Sequence, residues 1–556
     1  MFRINKVENE QISIFSRETA WSNYQRKRLE ESWVGYFRYH IFPNINEEPF
    51  RVLYSEDTAS CPNTPINILV SLLVIKSIKH VSDEELIDLL LFDERVQYAL
   101  HTSHLTKQPI SKNMLSNFRT NCKKYLEETG IDLLDICLRE INDNIIKLHE
   151  VDRSLERIDS LMISSSCKRL SRIELIYQVN YNFIKMLDKY EKVPTQYKEY
   201  LEKGNKNDVI YRTRESEEET KLETLIKHSL ELYDEFKSDI EVNQTEEFKL
   251  LERLIEEQYD SENKKPKDGK EITSTSLQNP TDKDATYRYK YEGNQGYVGN
   301  IVEAINEGKP MITDWEVAQN ITSDVDLINN YLDKLSDNQQ EIKIEIVDGA
   351  YYTEDTKKKA EEKGIELHPT ELVGRKGKET NITEFRIDEK KHQILECQNK
   401  QVPDFQKYDK EKEMIIAKFS KEKCKNCPFK DKCIMSEKAK KMNTVRLNKT
   451  ALNRAEIMKE RNTEEYKRIS NMRAGIEGIP SVLRRFYQID KRQTKGILRL
   501  KWEFSTSIVS INIKRGVKMD SIMGQISVFI KKISFLPSTH FIFFNWRIPK
   551  FFVFGT

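Results

Sequence analysis

The stretch Glu341 to Tyr352, EIKIEIVDGAYY, constrains this chain most. Ile342, Ile344 and Ile346 alternate with Lys343, Glu345 and Val347. A period of two in β-branched residues predicts a strand with one buried face. The run ends at Asp348-Gly349. A carboxylate at a strand's C-terminal edge, before a Gly that lets the backbone turn, presents an acid to a cleft. A helix is predicted from Thr353 to Lys363, then Gly364 and a short apolar run, Ile365 to Leu367. Taken alone, Asp-Gly is also an ordinary turn dipeptide after a core strand.

Two distant segments bear on that choice. Arg157 to Ile163, RIDSLMI, is a second short apolar run with a carboxylate, Asp159, inside it. Arg473-Ala-Gly-Ile-Glu477 sets a third acid beside a base. Three acids on two strands and a helix suit a two-metal phosphodiester-cutting site. Carboxylates hold hard divalent cations, and two metals about 4 Å apart steady both the attacking and the leaving oxygens.

A chain of 556 residues implies more than one domain and room for a large core. Charged residues make up 33 % of it, yet the net charge is +1, so any basic surface must come from local segregation. The N-terminal MFRINKVENEQ is charged and lacks the apolar segment of a signal peptide. The apolar runs Ile66 to Ile78 and Phe541 to Phe554 fall short of the ~20 residues of a spanning helix. Arg547, Pro549 and Lys550 also break the second. A soluble, cytoplasmic protein with no membrane partner is expected.

Residues 1 to 60 read as a loosely patterned lead-in. From Thr64 the pattern is helical, and Ser82-Asp-Glu-Glu85 is a capping box opening a second helix. A third helix after Ser111 carries Lys112, Arg119, Lys123 and Lys124, with Leu115, Phe118 and Cys122 on its inner side. Short helices with a basic last member fit helix-turn-helix DNA binding, and equally a plain bundle with a solvated basic face. Asp132 to His149 is a further helix. Ser171 to Glu257, rich in Glu and Lys, reads as a solvated helical arm with no assigned chemistry, and 261–282 as a polar, mobile linker. Tyr287 to Tyr291, a turn at Gly293 to Gly296, and Tyr297 to Ala304 read as a hairpin. Pro310 to Thr313 is a strand and Asp324 to Leu335 a helix. This order points to a mixed α/β domain and resembles the RNase H-like fold.

Cys424 and Cys427 have the C-x₂-C spacing of a zinc knuckle, Cys433 follows, and Cys397 is the choice for a fourth ligand, with His392 behind it. A redox pair or free thiols are the alternative. Cys61, Cys122, Cys137 and Cys167 read as single thiols. Lys421, Lys423, Lys425, Lys430, Lys432, Lys438, Lys440 and Lys441 crowd the cluster and suit a DNA-facing loop stiffened by structural Zn²⁺.

Asn448 to Ser470 is strongly helical, and Arg473 and Glu477, four apart, share a face. Gly475 and Gly478 beside the acid each cost ~1 kcal/mol in a helix, which suggests close approach by another backbone or by DNA. Pro480 kinks the helix or starts a new one, so Arg484 is less firmly on that face. The following RRFYQIDKRQTKGILRLKW, with Arg484, Arg485, Phe486, Tyr487 and Trp502, suits a phosphate-tracking surface. The tail from Ile526 is aromatic and apolar, either a closing strand pair or a poorly specified end.

With these pieces in hand, the sequence resembles bacterial insertion-sequence transposases of the DDE class, most of all the branch called insertion-sequence family eleven-eighty-two. The matching pieces are the Leu-rich start at Asn63 to Phe118, RIDSLMISSS, TDKDATYRYK with GYVGN, VDGAYYTEDT, the Cys-x₂-Cys-Pro segment, and RAGIEGIPSVLRR with KRQTKG. The resemblance implies a catalytic triad of Asp159, Asp348 and Glu477 holding two Mg²⁺ (or Mn²⁺). It implies Arg473 and Arg484 on DNA phosphates, element ends and target DNA as partners, and at least a homodimer. Ser470 stands where the family motif has Tyr, Arg484 where it has Lys, and Pro480 intervenes. An inactive relic that only binds DNA and a general metal-dependent nuclease are the competing functions.

The expected fold class is α+β multi-domain. Residues 1–150 form an N-terminal helical DNA-binding domain, with Lys112, Arg119 and Lys123 facing DNA. Residues 151–166 and 281–370 form the first part of an RNase H-like core. Residues 167–280 are a helical insertion and linker, 371–446 a Cys-rich insert, 447–515 the third-acid helix and basic segment, and 516–556 a tail.

Overall fold

The computed structural model describes residues 1–5, 17–55, 57, 59, 61–103, 108–211, 217–289, 292–305, 309–335, 341–371, 382–388, 390–430, 433–435, 442–492 and 494–534; for 17–18 and 522–534 only the backbone is described. The run Phe541 to Phe554, the lysines at 432, 438, 440 and 441, and Lys290 and Tyr291 of the expected hairpin lie outside the described residues.

The first helices form where capping and apolar spacing ask for them. They are α1 (Ile66–Lys79), α2 (Asp83–Phe92), α3 (Met114–Thr129) and α4 (Leu133–Leu148). Ser82 and Glu85 make the reciprocal capping box of α2. The lead-in is more structured than its pattern suggested: short helical turns between Trp33 and Leu53 bury Val34, Phe37, Ile41, Phe42 and Phe50.

Six strands build the central sheet: β1 (Leu155–Ser164), β2 (Thr286–Tyr289), β3 (Gly293–Ala304), β4 (Met311–Gln319), β5 (Ile344–Val347) and β6 (Glu366–Pro369). β3 pairs antiparallel with β1, β2 and β4, while β5 runs parallel to β1 and to β6. The glycines at 293 and 296 lie within β3 rather than in a turn. Gly296 has φ +156°, and a Cβ there would meet the Ser165 nitrogen at 2.7 Å.

Between β1 and β2 the chain makes α5 (Arg172–Lys189), α6 (Glu218–Phe236) and α7 (Glu246–Gln258). They are a bundle rather than a solvated arm, because Phe183, Ile184, Leu232, Leu251 and Leu254 close a core of their own. The expected mobile linker is tied down: Arg253 donates to the carbonyls of Thr275 and Lys283 at 3.1 and 2.9 Å, and Leu277 and Asp282 are buried.

α8 (Asp324–Lys334) and α9 (Glu354–Glu362) cover one sheet face through Leu327, Ile328, Leu332 and Ala360 against Ile158, Val302 and Val347. The other face meets the N-terminal helices and the C-terminal helix Ile497–Ser534 in one continuous core with Leu161, Ile163, Ile301 and Trp315.

The Cys-rich stretch is a small β module: β7 (Arg386–Asp388) pairs with β8 (Gln393–Glu396), and β9 (Phe405–Asp409), β10 (Met414–Ser420) and β11 (Met442–Asn448) form an antiparallel sheet. Then come α10 (Lys449–Glu460), α11 (Glu464–Met472), a 3₁₀ turn at Arg473–Glu477, α12 (Gly478–Arg485) and the long α13 (Ile497–Ser534). Trp502 and Tyr487, expected on a phosphate-facing surface, are core residues. Trp502 is buried and donates to Asp132 at 3.0 Å, and Tyr487 is 1 % exposed. Asn512 locks α13 to the sheet, donating to the Ile312 carbonyl at 2.8 Å and accepting from the Ile312 N–H at 3.1 Å.

Glu345 is poorly paired within the sheet. It is wholly buried beside Glu156, and neither of its carboxylate oxygens has a hydrogen-bond partner among the described residues. Burial first, then the Glu156 charge, push its carboxyl well above the ordinary value of 4.5. The folded state therefore holds this proton more tightly than the unfolded chain does. Its contribution is full below the unfolded value and is lost as pH rises through the folded one. Glu345→Gln is expected to melt higher than the parent, by a margin growing from pH 5 to pH 8 and reaching on the order of 1–3 kcal/mol; thermal denaturation across that range measures it.

Candidate active site

Register brings the first two acids together. Arg157 of β1 lies opposite Ile346 of β5 in the parallel pair. Two residues further along the chain from each stand Asp159 and Asp348, so both acids follow directly from the last paired residues of adjacent strands. The parallel pairing ends at Arg157 and Ile346, so Asp348 sits just past the end of β5, while Asp159 lies mid-way along β1 and is still paired with Ile301 of β3. Each accepts a backbone N–H: Asp159 from Ser160 at 2.9 Å, Asp348 from Gly349 at 2.7 Å.

The third acid arrives on the 3₁₀ turn, which packs against β1. Arg473 stands between the acids, with Nη2 3.1 Å from Asp159 and Nη1 3.9 Å from Glu477. Its own side chain is 16 % exposed, whereas Glu477 is 68 % exposed. Burial pushes the Asp159 carboxyl up; Arg473 and the Ser160 N–H oppose this, and the Asp348 and Glu477 charges add to it. Asp159 thus senses both other acids, and Arg473 supplies the positive charge beside Asp159 and Glu477. Among the described residues no three His, Cys, Asp or Glu side chains form a ready-made metal-holding group. The donor chemistry nonetheless suits a hard divalent cation: carboxylate oxygens, with mutual repulsion only partly offset by one guanidinium.

A residue not singled out for a role positions the third acid. Arg157 is buried; its Nε donates to Glu303 of β3 at 2.6 Å, and its Nη1 donates to the Met472 carbonyl at the end of α11. Arg515 of α13 sits 2.7 Å from the other Glu303 oxygen. Gly475 is explained by this arm rather than by another backbone or by DNA. A Cβ there would stand 2.7 Å from Arg157 Nη2 and 2.9 Å from its Cζ. Gly478 has nothing within 4 Å of a built Cβ. The only sequence trace of the arm is an Arg and a Glu at inward strand positions, which without a register could not be paired. Ser470 faces inward too, 3.0 Å from His368 Nε2 on β6.

The remaining predicted residues are dispersed. Pro480 lies in the first turn of the new helix α12, where its missing N–H costs little. Arg484 does not join Arg473 and Glu477: it donates to the Met162 carbonyl at 2.9 Å and pairs with Asp490 at 3.3 Å. Arg485 is exposed. Arg119 is bound to Asp83, at the start of α2, so its charge is spent inside the protein. Lys123 pairs with Glu127 at 3.4 Å, and Lys112 is exposed.

Cys397, Cys424, Cys427 and Cys433 are all free thiols in one module. Burial raises the Cys433 thiol, the Met435 backbone opposes this, and Cys427, Cys424 and Cys397 add to the rise; among the described residues the four do not stand as a ready-made metal-holding group. His392 stacks on Tyr408, 4.1 Å between ring centres.

Residues 396–517 match a family model described as "Transposase DDE domain". The match supports a DDE-type transposase, whose family generally uses divalent metal ions and acts on DNA. It spans Glu477, Arg473, Arg484 and the four cysteines and does not reach Asp159 or Asp348. Neither the curated proteins nor the solved structures yielded a match. No described helix is long and apolar enough to cross a membrane.

The two glycines beside the third acid should part company. Gly475→Ala must displace a pinned guanidinium and is expected to cost about 1–3 kcal/mol. Gly478→Ala, at an ordinary helical φ of −66°, should be neutral or stabilise by up to ~1 kcal/mol. Denaturant titration of both variants checks this.

Proposed function

We propose that this protein is a DNA transposase of the DDE class, with Asp159, Asp348 and Glu477 as its catalytic acids. The observation that carries the reading is the parallel β1–β5 pair, from whose last partners, Arg157 and Ile346, Asp159 and Asp348 each follow by two residues, with Arg473 reaching both Asp159 and Glu477. The strand order β4-β3-β1-β5-β6, three antiparallel and then two parallel, is the arrangement expected of an RNase H-like core. The motifs quoted above resemble those of insertion-sequence family eleven-eighty-two, which supports that branch as the source of the chain.

Asp159, Asp348 and Glu477 would hold two Mg²⁺ or Mn²⁺, which supply charge stabilisation to the attacking and leaving oxygens. Asp159 and Asp348, fixed by strand register and by N–H donors, set the position of the cut. Glu477, on an exposed turn, closes the set from above. Arg473 balances the acids in the free protein and is placed to take a DNA phosphate when they are otherwise neutralised. Cleavage is an in-line displacement on phosphorus by water, and strand transfer the same displacement by the freed 3′-OH. The N-terminal helices would read the terminal inverted repeats, with Lys112 and Lys123 on phosphates, and Arg484 and Arg485 would lie along the flanking strand. Two element ends require at least a homodimer, acting in the cytoplasm at the nucleoid. Cys397, Cys424, Cys427 and Cys433 would supply the ligands if the module takes up a structural Zn²⁺.

Cleavage of DNA carrying the gene's own flanks, in Mg²⁺ or Mn²⁺, tests the reading. Cuts at the ends of flanking inverted repeats are expected, and Asp348→Asn should abolish them while binding persists. Binding without cutting by the parent chain would indicate a relic, and cutting indifferent to the flanks a general nuclease.

A further inference from the structure

The helical insertion meets the N-terminal helices and the start of α13 in a cleft of about 610 Å³, outside the acid site. Its walls come from α3, from α5 and α7 of the insertion, from the loop at Thr281 to Asp284, and from Lys495 to Arg499. Six cationic side chains line it: Lys123, Lys185, Lys189, Lys283, Lys495 and Arg499. All six are exposed.

Local pairing removes only part of that charge. Lys123 is taken by Glu127, and Lys283 by Glu246 at 2.5 Å. Asp284 accepts the Ile497 N–H at 3.1 Å and so caps α13. Among the described residues Lys185, Lys189, Lys495 and Arg499 have no ion-pair partner, and of the lining carboxylates Glu247 and Asp284 are left to face them, so the cations outnumber the acids by four to two. Four unpaired cations converge in a concavity from two separate parts of the chain. In a protein of net charge +1, that is local segregation of positive charge.

The cleft also lies in line with the acids. From Asp159, β1 continues five residues to Ser164, ~17 Å at 3.3 Å per residue. Ser165 then donates to Asp282 at 2.5 Å, and Asp282 accepts the N–H of Gly496, a cleft residue, at 2.9 Å. The cleft rim is therefore roughly 20 Å from Asp159, about six base pairs along a duplex that rises 3.4 Å per pair.

We propose that this cleft grips the phosphate backbone of the duplex whose end lies in the acid site, with Lys185 and Lys189 of the insertion, Lys495 just before α13 and Arg499 of α13 as its contacts. The proposal rests on the transposase reading and gives the insertion a role in it. Backbone contacts of this kind carry no sequence information and are salt-sensitive.

The test uses the full chain carrying Asp348→Asn, so that DNA is not consumed, and fluorescence anisotropy with a flank duplex and a scrambled one across a KCl series. K185A/K189A should weaken binding to both duplexes alike and make the slope of log K against log salt shallower by about 1.8, two contacts at ~0.9 each. K227A/K237A removes the same charge from elsewhere on the insertion and should leave the slope unchanged. DNA should also shield Lys185, Lys189 and Lys495 from acetylation in the otherwise unaltered chain, a readout independent of how any variant folds. Equal slopes in the two double variants, or unshielded lysines, would overturn the cleft assignment and leave the transposase reading standing. Failure of the Asp348→Asn chain to bind any duplex would remove both.

Discussion

The buried pair between Arg157 and Glu303 holds the candidate site in one piece. Glu303 is fully buried on β3, and Arg157 reaches it from β1 while also donating to the last carbonyl of α11. Arg515 brings α13 to the same carboxylate. Two strands, the third-acid turn and the long C-terminal helix therefore share one charge cluster. Removing one member of such a cluster leaves an unpaired buried charge, typically costing 3–5 kcal/mol. Glu477 itself is mostly exposed and makes only a 3.9 Å contact with Arg473, so its place is set from below, by the arm under Gly475.

That dependence explains which parts of the site the sequence makes legible. Asp159 and Asp348 can be read because each ends or interrupts a short apolar strand, and period two survives any tertiary context. Glu477 can be read because a base stands four residues before it. The strand, helix and capping signals around Ser82 and Thr353 also hold, since they are local. Arg157 and Glu303 could not be paired, because their meeting depends on a register between strands 146 residues apart. Trp502 and Tyr487 misled for a different reason. Aromatic residues among basic ones look alike on a DNA-facing surface and on a helix whose buried side is lined with Ser505, Ser507, Ser510 and Asn512. Those small polar residues blunt the apolar period that would have marked α13 as a core helix.

Arg119 and Arg484 make a related point about basic residues. Both read as DNA contacts by type and spacing, yet each is committed to an internal partner, Asp83 in one case and the Met162 carbonyl with Asp490 in the other. With 91 basic and 90 acidic side chains, most positive charges will find a negative neighbour, so the informative cations are those left over after pairing. Counting lysines along the chain overstates the helix at 114–129 and understates the insertion, whose Lys185 and Lys189 keep their charge.

The insertion can sit where it does because its two ends meet. The chain leaves β1 at Ser164 and returns at Thr286, and both residues are partners of Gly296 on β3. Asp282, just before the return, bonds to Ser165, just after the departure. A module whose termini are this close adds to a sheet without altering its register, and its separate core lets it fold on its own contacts. The same closure fixes its position. With both ends clamped at the sheet edge next to Gly496, the bundle cannot be a loosely tethered arm; α5 and α7 face α3 and the start of α13 across the cleft, and any charge they carry there is presented at a set distance from the acids.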